Sequence, residues 1–524
     1  MSAGRFRPRA DAAARAAVVA VAAAAFIWIL IRTLDASPRD RVLTIPDDGF
    51  YYLTLARNFA TQGVWSFDSG VSRTNGFHLL QGYALAALYR AGRFSPDRFV
   101  SLAIALSWLA AVPAWILGAV FAWRSRSVVA LLMFGVIAIS RNALLNSVGV
   151  MEWSYVVSLA ACYCALLLTA TDTPSGIRVG AVALCAFAGS LARTDFGLLP
   201  GMLMVVAVGA CLLRPSADAR KRFGIALVGS IAAAAGVGAV LLHGWLTSGT
   251  ALQSSARMKL LWMARDVPSW GPIRFKVQEL FGPPFTYATT RLLGLLLIGA
   301  AAAAVVWLRR QPRDNADASA RWLWMGSVLT LAGFVTFYRW DAGVQAWYTG
   351  NLVVPVFLTI SLPFVYSRSS VWIARAAMAV LLVAGVRQAL DLRALPDYPL
   401  WPWQVYMYDA GTYLAQHRPD GRVASWNAGI IGYYAGGTVI NIDGLVNNDI
   451  YPFVAARQLD AYFDRERIAY VVDFNQTVDA IPYRRRNGCD VGGCVERLLP
   501  FIVLHRDPDG ALILYKVAAR SPVL

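Results

Sequence analysis

Residues 45–80 read IPDDGFYYLTLARNFATQGVWSFDSGVSRTNGFHLL. Two adjacent carboxylates, Asp47 and Asp48, follow Pro46 and open a segment that carries Phe50, Leu53, Ala56 and Ala60 on one side of a helix. Each acid has an ordinary use there. Asp48 suits an N-cap, and Asp47 suits the positive end of the helix dipole. Their company suggests a second use. Arg73, Asn75 and His78 come from the same loop, and Tyr51, Tyr52, Trp65 and Phe67 suit sugar stacking or interfacial anchoring. A carboxylate in such a place can serve as a general base on a hydroxyl group.

The rest of the chain says what solvent surrounds this stretch. Of 524 residues 57% are apolar and 15% charged, with a mean hydropathy of +0.50. A soluble protein runs nearer half apolar and a quarter charged, so the excess needs an apolar solvent. Disorder, collagen-like repeats and a small disulfide scaffold are excluded. Lys and Arg number 48 against 31 Asp and Glu, a net charge of +17. In a polytopic protein such a surplus points to positive-inside loops rather than to nucleic acid. Four of the six cysteines, Cys162, Cys164, Cys185 and Cys211, lie in apolar runs and read as small hydrophobes.

Apolar runs at 15–34, 98–122, 127–146, 153–170, 177–192, 196–213, 223–246, 290–308, 322–338, 351–366 and 370–388 predict about eleven transmembrane helices. The first is preceded by a basic segment and is read as a span rather than a cleaved signal peptide. The run Phe77–Tyr89 is short and polar-spotted. If it does not span, Arg124, Arg126, Arg178, the cluster Arg214–Arg222, Arg309, Arg310, Arg313 and Arg368 all fall in the cytoplasm; if it spans, all of them flip outside. It is therefore read as a helix on the outer face. The N-terminus is then cytoplasmic, and the loop Asp35–Arg93, the turn Asn142–Trp153, the loop Thr247–Thr289 and the turn Tyr338–Tyr348 lie outside. Residues 1–389 form the membrane domain. From 390 to 524 short β-rich runs, Val423–Trp426, Thr438–Ile442 and Ile468–Phe474, alternate with helical stretches, which predicts an extracytoplasmic α/β domain. In it, Cys489 and Cys494 (CDVGGC) are spaced for a local disulfide.

The acidic pair followed by aromatics, the TNGFH run at 74–78 and the GVME turn at 149–152 have a known counterpart. The chain resembles the GT-C fold glycosyltransferases, among them the protein O-mannosyltransferases, the lipid A aminoarabinose transferase and the actinobacterial arabinofuranosyltransferases. The order of elements is similar too: an acidic pair in the first outer loop, a second acid in the next outer turn, a long outer loop after the seventh span and a soluble C-terminal domain. The resemblance implies a polyprenyl-phosphate sugar donor, transfer on the outer face of a bacterial-type inner membrane, and a catalytic base at the first acid of the pair, here Asp47. Asp48 takes the second place. Phe50 stands where the lipid A enzyme has an arginine, so that phosphate contact must come from elsewhere.

Glu152 lies in NSVGVMEW, where an acid among apolar neighbours is costly unless partnered. The resemblance gives this turn a second functional acid, so Glu152 is expected to orient the acceptor or the base; a divalent metal shared with Asp47 is one means. Arg193 and Asp195 in ARTD read as a structural ion pair with other segments at least as well as a substrate contact. Cations on the outer side run against the positive-inside bias and call for a reason. Arg257 and Lys259, with Arg339 beside Tyr338, Asp341 and Tyr348, are the expected donor-phosphate contacts. Asn75 and His78 are the expected acceptor contacts. In the C-terminal domain Asn427, Asp443, Asn447 and Asn448 suit either a carbohydrate or Asx turns. These readings combine into an inverting glycosyltransferase acting on a cell-envelope glycan, lipid or protein. The rivals are a lipid-linked sugar flippase, which needs mid-span charges not seen here, and a non-catalytic membrane protein with a carbohydrate-binding domain.

Overall fold

The computed structural model describes residues 8–169, 175–213, 215–265, 287–310, 312, 314–338, 345–366, 371–395, 399–490, 493–507 and 510–519. Each apolar run is a helix. In chain order they are Pro8–Asp35, Pro96–Arg124, the pair Val128–Ala138 and Arg141–Val148, Trp153–Leu168, Gly176–Ala192, Leu198–Leu213, Ala217–Ser248, Tyr287–Leu308, Asn315–Tyr338, Gly350–Tyr366 and Val371–Arg393. They are called the first to eleventh spans below.

Among the described residues seven helices are long and apolar enough to cross a membrane, and the bent third span makes an eighth; Trp153–Leu168, Gly176–Ala192 and Leu296–Leu308 are shorter. The protein is thus a multi-pass membrane protein, with seven or eight full-length crossings inside the expected set of about eleven. The third span breaks by 53° at Ser140, whose hydroxyl accepts from the Ala143 amide and caps a new helix.

The ambiguous run Phe77–Tyr89 falls mostly in the helix Leu79–Gly92, which at 14 residues is too short to cross a membrane. It packs along the acidic-pair helix, Asp47–Gln62. Between the two, Trp65 stacks on Phe59 at 4.1 Å and on Phe77 at 4.1 Å, with Tyr83 edge-on at 5.1 Å. Trp65 and Phe67 are therefore core residues, 3% and 1% exposed, and not sugar platforms. The expected N-cap is also absent. The acidic helix starts at Asp47 after Pro46, with no side-chain cap bond. Its start is instead nailed by Gln404, whose Oε1 accepts from the Asp47 amide at 2.8 Å and whose Nε2 donates to the carbonyls of Ile45 and Val42.

The C-terminal part holds a five-stranded sheet of β1 (Arg422–Ser425), β2 (Val439–Asn441), β3 (Ile468–Phe474), β4 (Leu498–Asp507) and β5 (Gly510–Val517), in the order β2-β1-β3-β5-β4. β1 runs parallel to β2 and β3, and β5 is antiparallel to β3 and β4. Cys489 and Cys494 are bonded. One hydrophobic core runs from the first span through the acidic helix to Ile430, Ile431 and Tyr433 of the helix Ala428–Tyr434. The sheet domain is packed onto the acidic helix through this docking helix.

Candidate active site

A cavity of about 710 Å³ lies where the acidic helix, one end of the span bundle and the C-terminal domain meet. Asp48, Tyr52, His78, Glu152, Lys259 and Tyr348 line it, and Leu445 and Val446 of the C-terminal domain close it.

Its first wall is the start of the acidic helix. A Cβ on Gly49 would lie 2.8 Å from Ile45 Cγ2 and 3.0 Å from the Gly149 carbonyl, so the acidic pair is followed by the residue that lets the helix touch the Gly149–Met151 turn. Val150 in that turn has φ +56, an unusual conformation for a β-branched residue. The Gln81 amide donates to its carbonyl at 3.0 Å and helps hold it. Such strain costs on the order of 1–3 kcal/mol and is typical of functional turns.

The two acids of the pair point in different directions. The Asp47 carboxylate accepts from the backbone amides of Gly429 at 3.2 Å and Ile430 at 2.6 Å, at the start of the docking helix, and does not line the cavity. The expectation that Asp47 faces a substrate is corrected on this ground: two amide donors hold it on the sheet domain. Asp48 lines the cavity, and among the described residues nothing hydrogen-bonds its carboxylate. Burial pushes the Asp48 carboxyl up to about 6, against the pull of the Lys259 ammonium and with Glu152 adding to the rise. Burial raises Asp47 to about 8, with the Ile430 amide opposing and Asp48 adding. Asp443 is a third member of the group. Burial lifts it to about 7, although the Leu445 amide at 2.7 Å and the Tyr51 hydroxyl at 3.1 Å both donate to it.

The floor is a buried ionic chain. Arg193 ends the fifth span in extended conformation, φ −157 and ψ 129, before a short 3-10 turn. Because the helix breaks there, Arg193 and Asp195 do face each other, which two positions two apart within a helix would not. The guanidinium donates from Nε to Asp195 Oδ1 at 3.0 Å and from Nη2 to Asp195 Oδ2 at 2.9 Å, and its Nη1 donates to Glu152 Oε1. Glu152 is 1% exposed; its Oε2 accepts from the Tyr52 hydroxyl at 3.2 Å, and His78 Nε2 lies 3.7 Å from Oε1. Tyr338 and Asn351 donate to Asp195 from the ninth and tenth spans. Burial lowers His78 below the usual imidazole range, which keeps it neutral. Above this floor, the Tyr348 ring meets Arg193 at 4.3 Å and the Lys259 ammonium at 4.4 Å.

Other expected site residues are elsewhere. Arg257 lies over the Tyr451 ring at 3.8 Å and does not line the cavity. Arg339 and Asp341 lie outside the described residues. Asn75 is saturated and does not reach the cavity: its Nδ2 donates to the Thr250 carbonyl at 2.8 Å, and its Oδ1 accepts from the Ser254 amide at 2.9 Å and from Asn448 Nδ2 at 3.1 Å. The carbohydrate reading of the C-terminal amides is corrected likewise. Asn427 donates to Asp473, Asn447 to the Asn441 carbonyl and the Tyr462 hydroxyl, and Asn448 to Asn75 and Thr250. A metal shared by Asp47 and Glu152 does not fit this donor set, since one carboxylate is held by amides and the other by Arg193. Among the described residues no three metal-ligating side chains gather.

Comparison with known proteins bears on the fold. Residues 401–507 match the family model of a domain of unknown function, DUF8728. No curated protein matches. The chain is similar in structure to the oligosaccharyltransferase of Archaeoglobus fulgidus in its apo form, with a TM-score of 0.55 and 13% identity over 97% of this chain and 74% of that one. It is also similar to ArnT from Cupriavidus metallidurans. The form bound to undecaprenyl phosphate gives a TM-score of 0.54 and 12% identity over 96% of this chain and 99% of that one. The apo form gives 0.53 and 11% over 97% and 100%. The chain therefore has the GT-C-like fold that the sequence motifs anticipate.

Proposed function

We propose that this protein is an inverting glycosyltransferase that moves a sugar from a polyprenyl-phosphate donor to a hydroxyl of a cell-envelope glycan, lipid or protein on the outer face of the membrane. The observation that carries the reading is the Asp48 carboxylate, raised but ionisable, facing a cavity that also holds Lys259, on a fold shared with a protein solved with undecaprenyl phosphate. Residues 1–389 form the membrane catalytic unit in this reading, and 390–524 the outer domain that closes the cavity.

Asp48 takes the proton of the acceptor hydroxyl as its oxygen bonds to the anomeric carbon. The bond from that carbon to the phosphate oxygen breaks on the opposite face, and configuration inverts. Polyprenyl phosphate leaves with the bonding pair, its charge met by the Lys259 ammonium, with Arg339 as a proposed second cation. Tyr348, between Arg193 and Lys259, frames the donor. Glu152 holds Arg193 and Tyr52 and so positions the floor, next to the neutral His78, which is placed to contact the acceptor.

The test uses a synthetic short-chain polyprenyl-phosphate sugar with envelope extract as acceptor. Asp48→Asn should lose at least about a hundredfold in transfer, the ordinary worth of a general base, with melting unchanged. Asp47→Asn should keep transfer within about tenfold of the parent, short of the roughly hundredfold that loss of a general base costs. The reverse ranking would return the base to Asp47. Near-parental transfer by both would remove the enzyme reading.

A further inference from the structure

A second cavity, of about 500 Å³, lies among the second, third, fourth and tenth spans and shares no lining residue with the candidate active site. On the fourth span Trp153, Val157, Ala161, Ala165 and Leu168 face it at helical spacing. Ala114, Gly118 and Phe121 of the second span and Val353 and Phe357 of the tenth stand opposite. The stripe runs the length of Trp153–Leu168, 16 residues or about 24 Å. Spread along that length, a volume of about 500 Å³ makes a long groove rather than a compact chamber, a shape that suits an alkyl chain. Small side chains, Ala114, Gly118, Ala161 and Ala165, make the room. Val120 lines the groove and is exposed, so it reaches the lipid-facing surface.

The two ends differ in chemistry. At one, Trp153 donates from its indole to the Thr349 hydroxyl at 3.2 Å. At the other, Arg124 and Tyr366, at the ends of two spans, supply a cation and a phenol hydroxyl, while the Ser125 and Thr169 hydroxyls donate to the Ala122 and Ala165 carbonyls. Arg126 follows, and the buried Arg15 donates to the carbonyls of Ala122 and Arg126, so positive charge gathers there. The alkyl and aromatic lining offers water almost no partners. A dry void of this size would forfeit packing comparable to the stability of a whole domain.

We infer that this groove holds one acyl chain of an anionic phospholipid whose headgroup lies at Arg124. The chain fills the space between the spans, and the phosphate meets the Arg124 guanidinium and the Tyr366 hydroxyl. Anionic lipids are drawn to basic span ends in the same way at a cytoplasmic leaflet, which is where the positive-inside reading puts Arg124. The site is independent of the proposed transfer reaction. It supports the helix whose N-terminus carries Glu152.

The experiment is native mass spectrometry of the purified full-length protein, offered phosphatidylglycerol and phosphatidylcholine together. One phosphatidylglycerol per chain should be retained, favoured about fivefold, the worth of one cation at an anionic surface. Ala161→Phe and, separately, Val353→Phe should abolish retention, and Arg124→Gln should keep a lipid but lose the headgroup preference. In the wild type, phosphatidylglycerol with a photoreactive tail should label the fourth and tenth spans, which tests the site without any variant. Labelling only elsewhere, retention unchanged by both fillings, or displacement by polyprenyl phosphate at equal concentration would overturn the assignment, the last by giving the groove to the donor's tail.

Discussion

Whether Asp48 acts as a base depends on two opposing influences, burial that raises its carboxyl to about 6 and the Lys259 ammonium that pulls it down. It is ionised at neutral pH, and only the ionised form accepts a proton. Transfer should therefore fall about tenfold per pH unit below about 6. Replacing Lys259 by Met removes the opposing cation, so the acid limb should move to higher pH; a limb that stays in place in a rate–pH profile would separate the two groups. Glu152→Gln leaves Arg193 on the floor with one carboxylate fewer and should lower stability by roughly 1–3 kcal/mol in denaturant unfolding, because Asp195 remains. The acidic pair, Lys259 and Glu152 were legible as residues because each is a charge where charge is unexpected. Which acid turns inward was not. That choice is made by amides 382 and 383 residues further on, a pairing that no local pattern encodes.

Among the elements, the docking helix Ala428–Tyr434 shows how tight the joint is. A Cβ on Gly429 would lie 2.6 Å from Asp47 Oδ1 and closer still to the Asp47 carbonyl. Gly429→Ala should therefore destabilise the protein by about 1–3 kcal/mol, read as a lower melting temperature. Asp47 also makes the joint pH-dependent. Its folded value, about 8, lies above the ordinary 3.8, so its contribution is fully present below the unfolded value and is lost as pH rises through about 8. Asn cannot ionise. The melting temperature of Asp47→Asn relative to the parent should thus increase between pH 5 and pH 9, and a constant difference would show that Asp47 does not titrate there. Helices and the first three strands were readable from apolar runs and β-branched clusters. The hairpin of β4 and β5 was missed, although Asp507-Pro508-Asp509-Gly510 between two apolar runs is a turn signal. The aromatics Trp65 and Phe67 were misread for the opposite reason, since composition cannot distinguish a platform from a core.

For the whole molecule the distribution of Arg and Lys makes a prediction about sidedness. A reporter after Arg387 should be active only outside the cytoplasm, and one at Arg220–Arg222 only inside. An outside signal from the second would mean that Leu79–Gly92 crosses the membrane after all. The span pattern was legible because twenty apolar residues need no partner to be recognised. The meeting of the loop after the first span, the loop after the seventh span and the sheet domain was not, because it rests on contacts such as Asn75 with Ser254 and Asn448.

That three-way knot has a consequence for how the protein is made. Asn448 lies 373 residues after Asn75, and ribosomes add about 5–20 residues per second, so roughly 20–75 s separate the two partners. During that interval the spans are inserted one by one while the cavity lacks Leu445 and Val446, and Asn75 can pair with Thr250 and Ser254 but not yet with Asn448. A nascent chain thus gains a closed cavity only near the end of synthesis. A nonsense mutation before Asn448 would yield a membrane-inserted product with an open, unfinished cavity, a form that proteases can recognise by its exposed loops.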